Sequence, residues 1–245
     1  MITLNCDIGE RGPDHPLDID LMNYIDIANI ACGGHAGDRE SVEVFRKIAS
    51  DRGVKIAAHL SYPDRKNFGR VTVQMELSDL LRSLDEQFNL LGGAGSVKFH
   101  GALYNDSVTD SRLASGLALW LKSMNIKEIL APADSEIAAF CVDEGIRIIA
   151  EAFAERRYDY DSLSGRLTLV SRKEAHASIA LLQEALDHSF GIIKNGTVNP
   201  YIEGKPQLLE VPLKCDTICI HSDSEIALDL AKGLRSIIAS MPKRG

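Results

Sequence analysis

The sequence has no apolar run of membrane-spanning length, no C-x-x-C pair and no extended block of lysine or arginine. Without about 20 consecutive apolar residues, no transmembrane helix is expected. Five cysteines (Cys6, Cys32, Cys141, Cys215 and Cys219) form no regular framework. An odd count, with no charged and apolar leader ahead of the first strand, points to reduced thiols in a cytoplasm. A formal charge of −8 and a pI of about 5.4 argue against nucleic acid or an anionic membrane as the main partner. No G-x-G-x-x-G and no P-loop opens an expected helix, so a nucleotide-binding open sheet loses support. Aromatics make up only 6%, but a hydrophobic fraction of 45% is ordinary for a globular α/β chain. No linker, low-complexity tract or charge run divides residues 1–245, so one domain is expected.

What is present is a recurring strand, polar turn and helix. Residues 25–31 are apolar and lead into Cys32-Gly-Gly-His-Ala-Gly-Asp38. Beyond that turn, Val42, Phe45, Ile48 and Ala49 fall at the helical period. Leu77, Leu80, Leu81, Leu84, Phe88 and Leu91 make the clearest helical stripe. Further strands are expected at 2–6, 54–58, 96–99, 128–131, 147–150 and 216–220, and helices at 111–124, 134–145 and 174–190. Residues 101–105 read as a turn, 191–213 as a hairpin turning at Asn195-Gly196, and 222–225 as a capping box. About seven strand-to-helix units in alternation predict a parallel sheet with helices outside it. A closed barrel is preferred over an open sheet, because Asp7, His35, His59, His100, Glu151 and His221 would then meet at one mouth.

Four of the seven histidines fall just after strands, whereas His15, His176 and His188 sit in a loop or on helices. One buried histidine is commonly a core residue; four at corresponding strand ends favour a shared site. Asp7 and Glu10 follow a buried strand, where a carboxylate is costly unless paired or ligated. Lys98 shares a strand face with His100 and could hold a carboxylate or a phosphate. Asp38 and Asp223 divide between helix capping and a site role. Cys32 reads as a small packed residue, with no positive cradle to activate it. Such a set suits a divalent metal polarising a carbonyl and its attacking water, or metal-free acid–base work on an amide. The residue types do not choose between these.

Longer motifs stand in order: Leu4-Asn-Cys-Asp-Ile-Gly-Glu10, Ala28-Asn-Ile-Ala-Cys-Gly-Gly-His-Ala-Gly-Asp38, Ala58-His-Leu-Ser-Tyr-Pro-Asp64, Phe68-Gly-Arg70 and Lys98-Phe-His-Gly-Ala-Leu-Tyr-Asn105. Glu151-Ala-Phe-Ala-Glu-Arg156 and Asp216-Thr-Ile-Cys-Ile-His221 complete the set. Nearly end to end, the chain resembles the LamB/YcsF family. The resemblance implies a single α/β domain, a seven-stranded TIM-like (β/α) barrel related to the polysaccharide deacetylases. The implied reaction is opening of 5-oxo-L-proline to L-glutamate, coupled to ATP and performed with partner B and C subunits that activate the lactam. The positions that carry over are Asp7, Glu10, His35, Asp38, His59, Lys98, His100, Asp216 and His221. Asn5, Asn29, Tyr104, Asn105 and Arg156 are the expected substrate contacts, and a metal, if held, would fall to Asp7, His35 and His59. Self-association is a further expectation. The alternatives are a metal-dependent deacetylase of another small amide and a non-catalytic component that presents substrate. Gly34 stands where the family commonly has phenylalanine, and Leu60-Ser61 where it has Pro-Gly, so extra room is expected beside His35.

Overall fold

The computed structural model describes residues 2–163, 165–201 and 209–241. The strands in chain order are β1 (Thr3–Ile8), β2 (Ile27–Ala31), β3 (Lys55–Leu60), β4 (Ser96–Phe99), β5 (Glu128–Ala131) and β6 (Arg147–Phe153). They are followed by β7 (Tyr158–Asp161), β8 (Arg166–Leu169), β9 (Thr197–Val198), β10 (Val211–Pro212) and β11 (Thr217–Ile220). β1 to β6 and β11 are parallel and close into a seven-stranded barrel, with β1 hydrogen-bonded to both β2 and β11. Helices α1 (Pro16–Leu21), α2 (Arg39–Arg52), α3 (Leu77–Leu91), α4 (Gly101–Thr109), α5 (Ser111–Ser123), α6 (Glu136–Asp143), α7 (Leu182–Asn195) and α8 (Ala227–Ser240) complete the fold. The expected barrel is therefore present. Among the described residues, no helix is long and apolar enough to cross a membrane.

Strands covered on both faces must be apolar along their length, and Ile27–Ala31 and Thr217–Ile220 are buried throughout. Ile27, Ala57, Leu130 and Ile149 pack together as a separate cluster and floor the barrel interior. Side chains on a strand repeat their face every second residue. Two positions after Ile27, Ala57 and Ile149, the same faces present Asn29, His59 and Glu151. The apolar floor thus hands over to a polar layer within one step along the strands.

The amino end of the barrel is fastened by charges. Asp26 accepts from Leu4 N at 2.8 Å and pairs with Arg235, while Asp216 accepts from Ala150 N at 3.0 Å. Glu128 pairs with Lys55 and Arg147; burial opposes its ionisation, but hydrogen bonds from Lys55, Arg147 and Ser96 pull its carboxyl down to about 2.

Four local expectations are corrected. Residues 101–105 are the start of α4, because Gly101 at φ 58 turns the corner in one residue and Ala102 N bonds Gly69 O. Asn195-Gly196 is no hairpin turn: Gly196, at φ 68, caps α7. β9 and β10 do pair antiparallel, and their connection includes 202–208, outside the described residues. The helix expected from 174 begins only at Leu182, since Arg157 N bonds Ala177 O and Ile179 N bonds Glu155 O across the mouth. Residues 222–225 form no capping box: α8 starts at Ala227 and Asp223 turns instead to Arg70.

Two glycines separate backbone strain from crowding. Gly53 ends α2 at φ 67 with open space around a would-be Cβ, whereas Gly37, at φ 77, would drive a Cβ into the Ala31 carbonyl. A left-handed residue costs about 1–2 kcal/mol once a Cβ is present. Gly53→Ala should therefore destabilise by about 1 kcal/mol and Gly37→Ala by at least ~3 kcal/mol. Urea midpoints of the two variants check this ordering; equal losses would contradict it.

Candidate active site

Lys98 lies at the centre of the polar layer. Its Nζ is 2.8 Å from Asp7 Oδ1, 3.1 Å from Glu151 Oε1 and 3.0 Å from Cys219 Sγ, and it is only 2% exposed. Burial alone would discharge the amine, but Asp7, the Cys219 sulfur and Glu151 hold its pKa well above the usual lysine value. Asn29 Nδ2 donates to both Asp7 Oδ1 (2.9 Å) and Asn5 Oδ1 (2.8 Å), and Asn5 Nδ2 donates to Thr217 Oγ1 (3.0 Å). Asn5 and Asn29, both fully buried, hold the carboxylate and ammonium in place from below rather than facing a ligand. Lys98 is likewise committed to protein carboxylates, and it is not free to hold a substrate anion as the sequence suggested.

Above this layer three imidazoles converge. His35 and His100 stack at 3.7 Å, and the His59 ring stands edge-on to both. His59 Nδ1 faces the Lys98 carbonyl (3.2 Å) and His100 Nε2 faces the Phe68 carbonyl (3.0 Å). Carbonyls only accept, so those nitrogens carry protons, and His59 Nε2 and His100 Nδ1 face each other at 3.0 Å across a contact that one proton or one cation must fill. Glu10 Oε1 lies 2.9 Å from His35 Nε2, 3.5 Å from His100 Nδ1 and 3.7 Å from His59 Nε2. Asp7 Oδ2 lies 3.4 Å from His59 Nε2. Burial, reinforced by neighbouring imidazoles, lowers the pKa of His35 and His100 well below the ordinary value. Burial and the nearby Asp7 raise Glu10 to about 7. Asp7 goes the other way: burial resists its ionisation, but His59 and Lys98 hold it well below the carboxylate range.

Such a knot of facing acceptors is stable only around a cation, a shared proton or a metal. Phe68 helps to shape it from an unusual backbone, φ 54, with its ring edge-on to His35 and His100. Asp18, fully buried, accepts from Gly9 N (3.0 Å) and pairs with Arg11, fixing the loop that carries Glu10.

On the far side of the mouth, His221 stacks on Phe153, and its Nδ1 is paired to Glu155 Oε1. Glu155 also accepts the His221 backbone N–H at 3.0 Å. Sequence reasoning missed Glu155; its only signal was a second acid in the motif that begins on the last residues of β6. Tyr104 is buried near Glu151, and burial followed by that carboxylate raises its phenol well above the usual range. Arg156 donates to the carbonyls of Val170 (2.6 Å) and Ala177 (3.2 Å), and Asn105 is exposed at the rim.

Two expected site residues lie elsewhere. Asp38 is exposed and caps α2, accepting from Ser41 N at 2.8 Å, which lowers its pKa. Asp216 precedes β11 at the amino end of the barrel, away from the mouth. Nor is there extra room at Gly34: a Cβ there would overlap the Gln87 amide and Ser61 Oγ. Gln87 fills that space, accepting from Ser61 N (3.0 Å) and donating to Ser61 O (2.9 Å).

Comparison with known proteins agrees with this architecture. The 5-oxoprolinase A subunit of Haemophilus influenzae (strain PittEE) is 34% identical over 241 residues, covering 94% of this chain and 93% of that protein. Its counterpart of the same name in Staphylococcus haemolyticus (strain JCSC1435) is 35% identical over 246 residues, covering 96% and 94%. The crystal structure of a lactam utilization protein from Thermus thermophilus superposes with a TM-score of 0.80 at 26% identity, over 97% of this chain and 96% of that one. The LamB/YcsF family pattern itself matches residues 2–243, and with the barrel and its mouth in place the chain belongs to the LamB/YcsF family.

Proposed function

We propose that this chain is the A subunit of an ATP-dependent 5-oxoprolinase, opening the lactam of 5-oxo-L-proline to L-glutamate with partner B and C subunits. The observation that carries this reading is the pairing, across one mouth, of the Glu10–His35–His59–His100 knot with the Glu155-held His221. Near-full-length likeness to proteins named as the A subunit of 5-oxoprolinase supplies the substrate class. In this reading ATP is handled with the partner subunits, which activate the lactam before ring opening.

The donor set also fits a divalent ion. A tetrahedron with ~2.1 Å ligand bonds has edges of about 3.4 Å. The donor atoms of Glu10, His35, His59 and His100 lie within 4.8 Å of one another, with the closest separations near that edge length. Two of the imidazoles are steered by backbone carbonyls, as metal-ligating histidines commonly are. This set differs from the Asp7, His35, His59 trio expected from the sequence: Glu10 and His100 join, and Asp7 is drawn towards Lys98. A cation held there would supply Lewis-acid polarisation of the amide carbonyl.

The remaining roles belong to side chains. With the knot free of a cation, Glu10, raised to about 7, can take or return a proton at neutral pH; with an ion bound it serves as a ligand instead. Asp7 stays ionised and holds Lys98. His221, bonded through Nδ1 to Glu155, has Nε2 left to take the proton of the attacking water and pass it to the departing lactam nitrogen. Asn5 and Asn29 keep Asp7 in place.

Two outcomes are expected. His221→Ala should lower ATP-dependent glutamate release from 5-oxoproline, assayed with the B and C subunits, by about 10²–10⁴-fold. Its urea midpoint should stay near that of the parent, and full activity would remove His221 from the chemistry. Second, elemental analysis of protein purified without chelators should find one divalent ion per chain. His100→Ala and Glu10→Gln should lose it, and chelation should lower the melting temperature of the parent only. A parent that binds no zinc or manganese on titration leaves the knot to a shared proton.

A further inference from the structure

Two cavities meet at the mouth. The smaller, about 50 Å³, lies over Asp7, His59 and His221, and the larger, about 690 Å³, opens beside it against α4 and the β7–β8 hairpin. Arg70, Arg156 and Arg172 line both cavities and so ring the passage between them. Their charges are unevenly balanced. Arg70 is paired with Asp223 at 2.7 Å. Arg156 is only 5% exposed, yet its bonds go to two neutral carbonyls. Its neighbour Glu155 is taken up by His221. Arg172 is exposed and forms no ion pair among the described residues.

A buried guanidinium with no carboxylate on it carries a desolvation cost that a bound anion would offset. Both guanidiniums line the same two cavities, and burial, then the like charge of Arg172, draws Arg156 down to about 10. The amino terminus of α4, which no side chain caps, forms part of the same wall at Gly101 and adds its positive dipole end. Lys98 is excluded as the anion holder, being held between Asp7 and Glu151.

We infer that Arg156 and Arg172, at the passage between the two cavities, bind a phosphoryl dianion beside the reacting carbonyl. Two positive charges, neither in ion-pair contact with a carboxylate among the described residues, match a dianion better than the single carboxylate of a lactam acid. Guanidinium forks suit phosphate oxygens. The larger cavity then accommodates whatever carries the group. The source, an activated phosphorylated lactam or a nucleotide, rests on the ring-opening reading; binding of the anion does not.

Calorimetric titration of the whole chain with inorganic phosphate, ADP and acetate tests this without any turnover. Phosphate or ADP should bind saturably. Arg172→Gln and Arg156→Lys should weaken that binding by about tenfold or more, while Arg82→Gln, on the outer face of α3, should leave it unchanged. Because Arg172 forms no ion pair among the described residues, its variant remains informative if Arg156→Lys misfolds. Tighter binding of ADP than of phosphate, lost in the same variants, identifies a nucleotide as the source; phosphate without ADP identifies the phosphorylated substrate. No saturable phosphate or ADP binding, binding unchanged in Arg172→Gln, or equal binding of acetate would overturn the inference. Loss of ring opening with phosphate binding intact would count against the 5-oxoprolinase reading alone.

Discussion

A protonated lysine buried between two carboxylates is the contact around which the mouth is organised. Lys98 sits on the inner face of β4, where burial takes its charge away from bulk solvent, so Asp7 from β1 and Glu151 from β6 must approach from two other strands. Leaving one member of such a group unpaired costs about 3–5 kcal/mol. That penalty fixes the relative height of three strands. It also explains why Asn5, Asn29 and Thr217 are polar although they lie deep inside the barrel: Asn29 donates to Asp7, Asn5 accepts from Lys98 and Asn29, and Thr217 accepts from Asn5.

The imidazole knot is built on that platform. With Asp7 held down by Lys98, only its Oδ2 reaches His59, and Glu10 becomes the carboxylate that lies within 3.7 Å of all three rings. The outward nitrogens of His59 and His100 are occupied by carbonyls, which leaves the inward lone pairs no choice of direction. Opposite them, Glu155 orients His221 in the same manner. One wall therefore gathers electron pairs, while the other presents a ring whose tautomer is fixed by a carboxylate and, further out, two guanidiniums. A polarised amide placed between them meets an electron-rich side and a proton-delivering side.

The fold was legible because alternation of apolar strands with helical stripes is a long-range pattern that local noise does not erase. Strand ends were legible for the same reason, and they located Asp7, His35, His59, His100, Glu151 and His221. Asp216 marks the limit of strand-end reasoning. It lies in one motif with His221, but on the amino side of β11, and the strand's length carries it to the opposite end of the barrel. Asp38 shows a second limit, since a helix cap and a site acid have the same spelling. Arg172 and Glu155 were hidden for another reason: they reach the mouth from the loops around the short β7–β8 pair, a stretch with too little regular structure to give a period to read. Lys98 had the right position and the wrong partner, because sequence gives the face of a strand but not what stands across the barrel from it.

Gly34 carries a consequence for how this chain can change. The space a larger side chain would take is held by Gln87 from α3, whose amide closes a two-bond ring with the Ser61 backbone. Positions 34, 61 and 87, far apart in sequence, are thus one steric unit under the imidazole knot. Bringing in a phenylalanine at position 34 would be a loss on its own and would become tolerable only after Gln87 had shortened. Each substitution is conditional on the other, so the order in which they are acquired decides which routes through sequence space keep a working mouth.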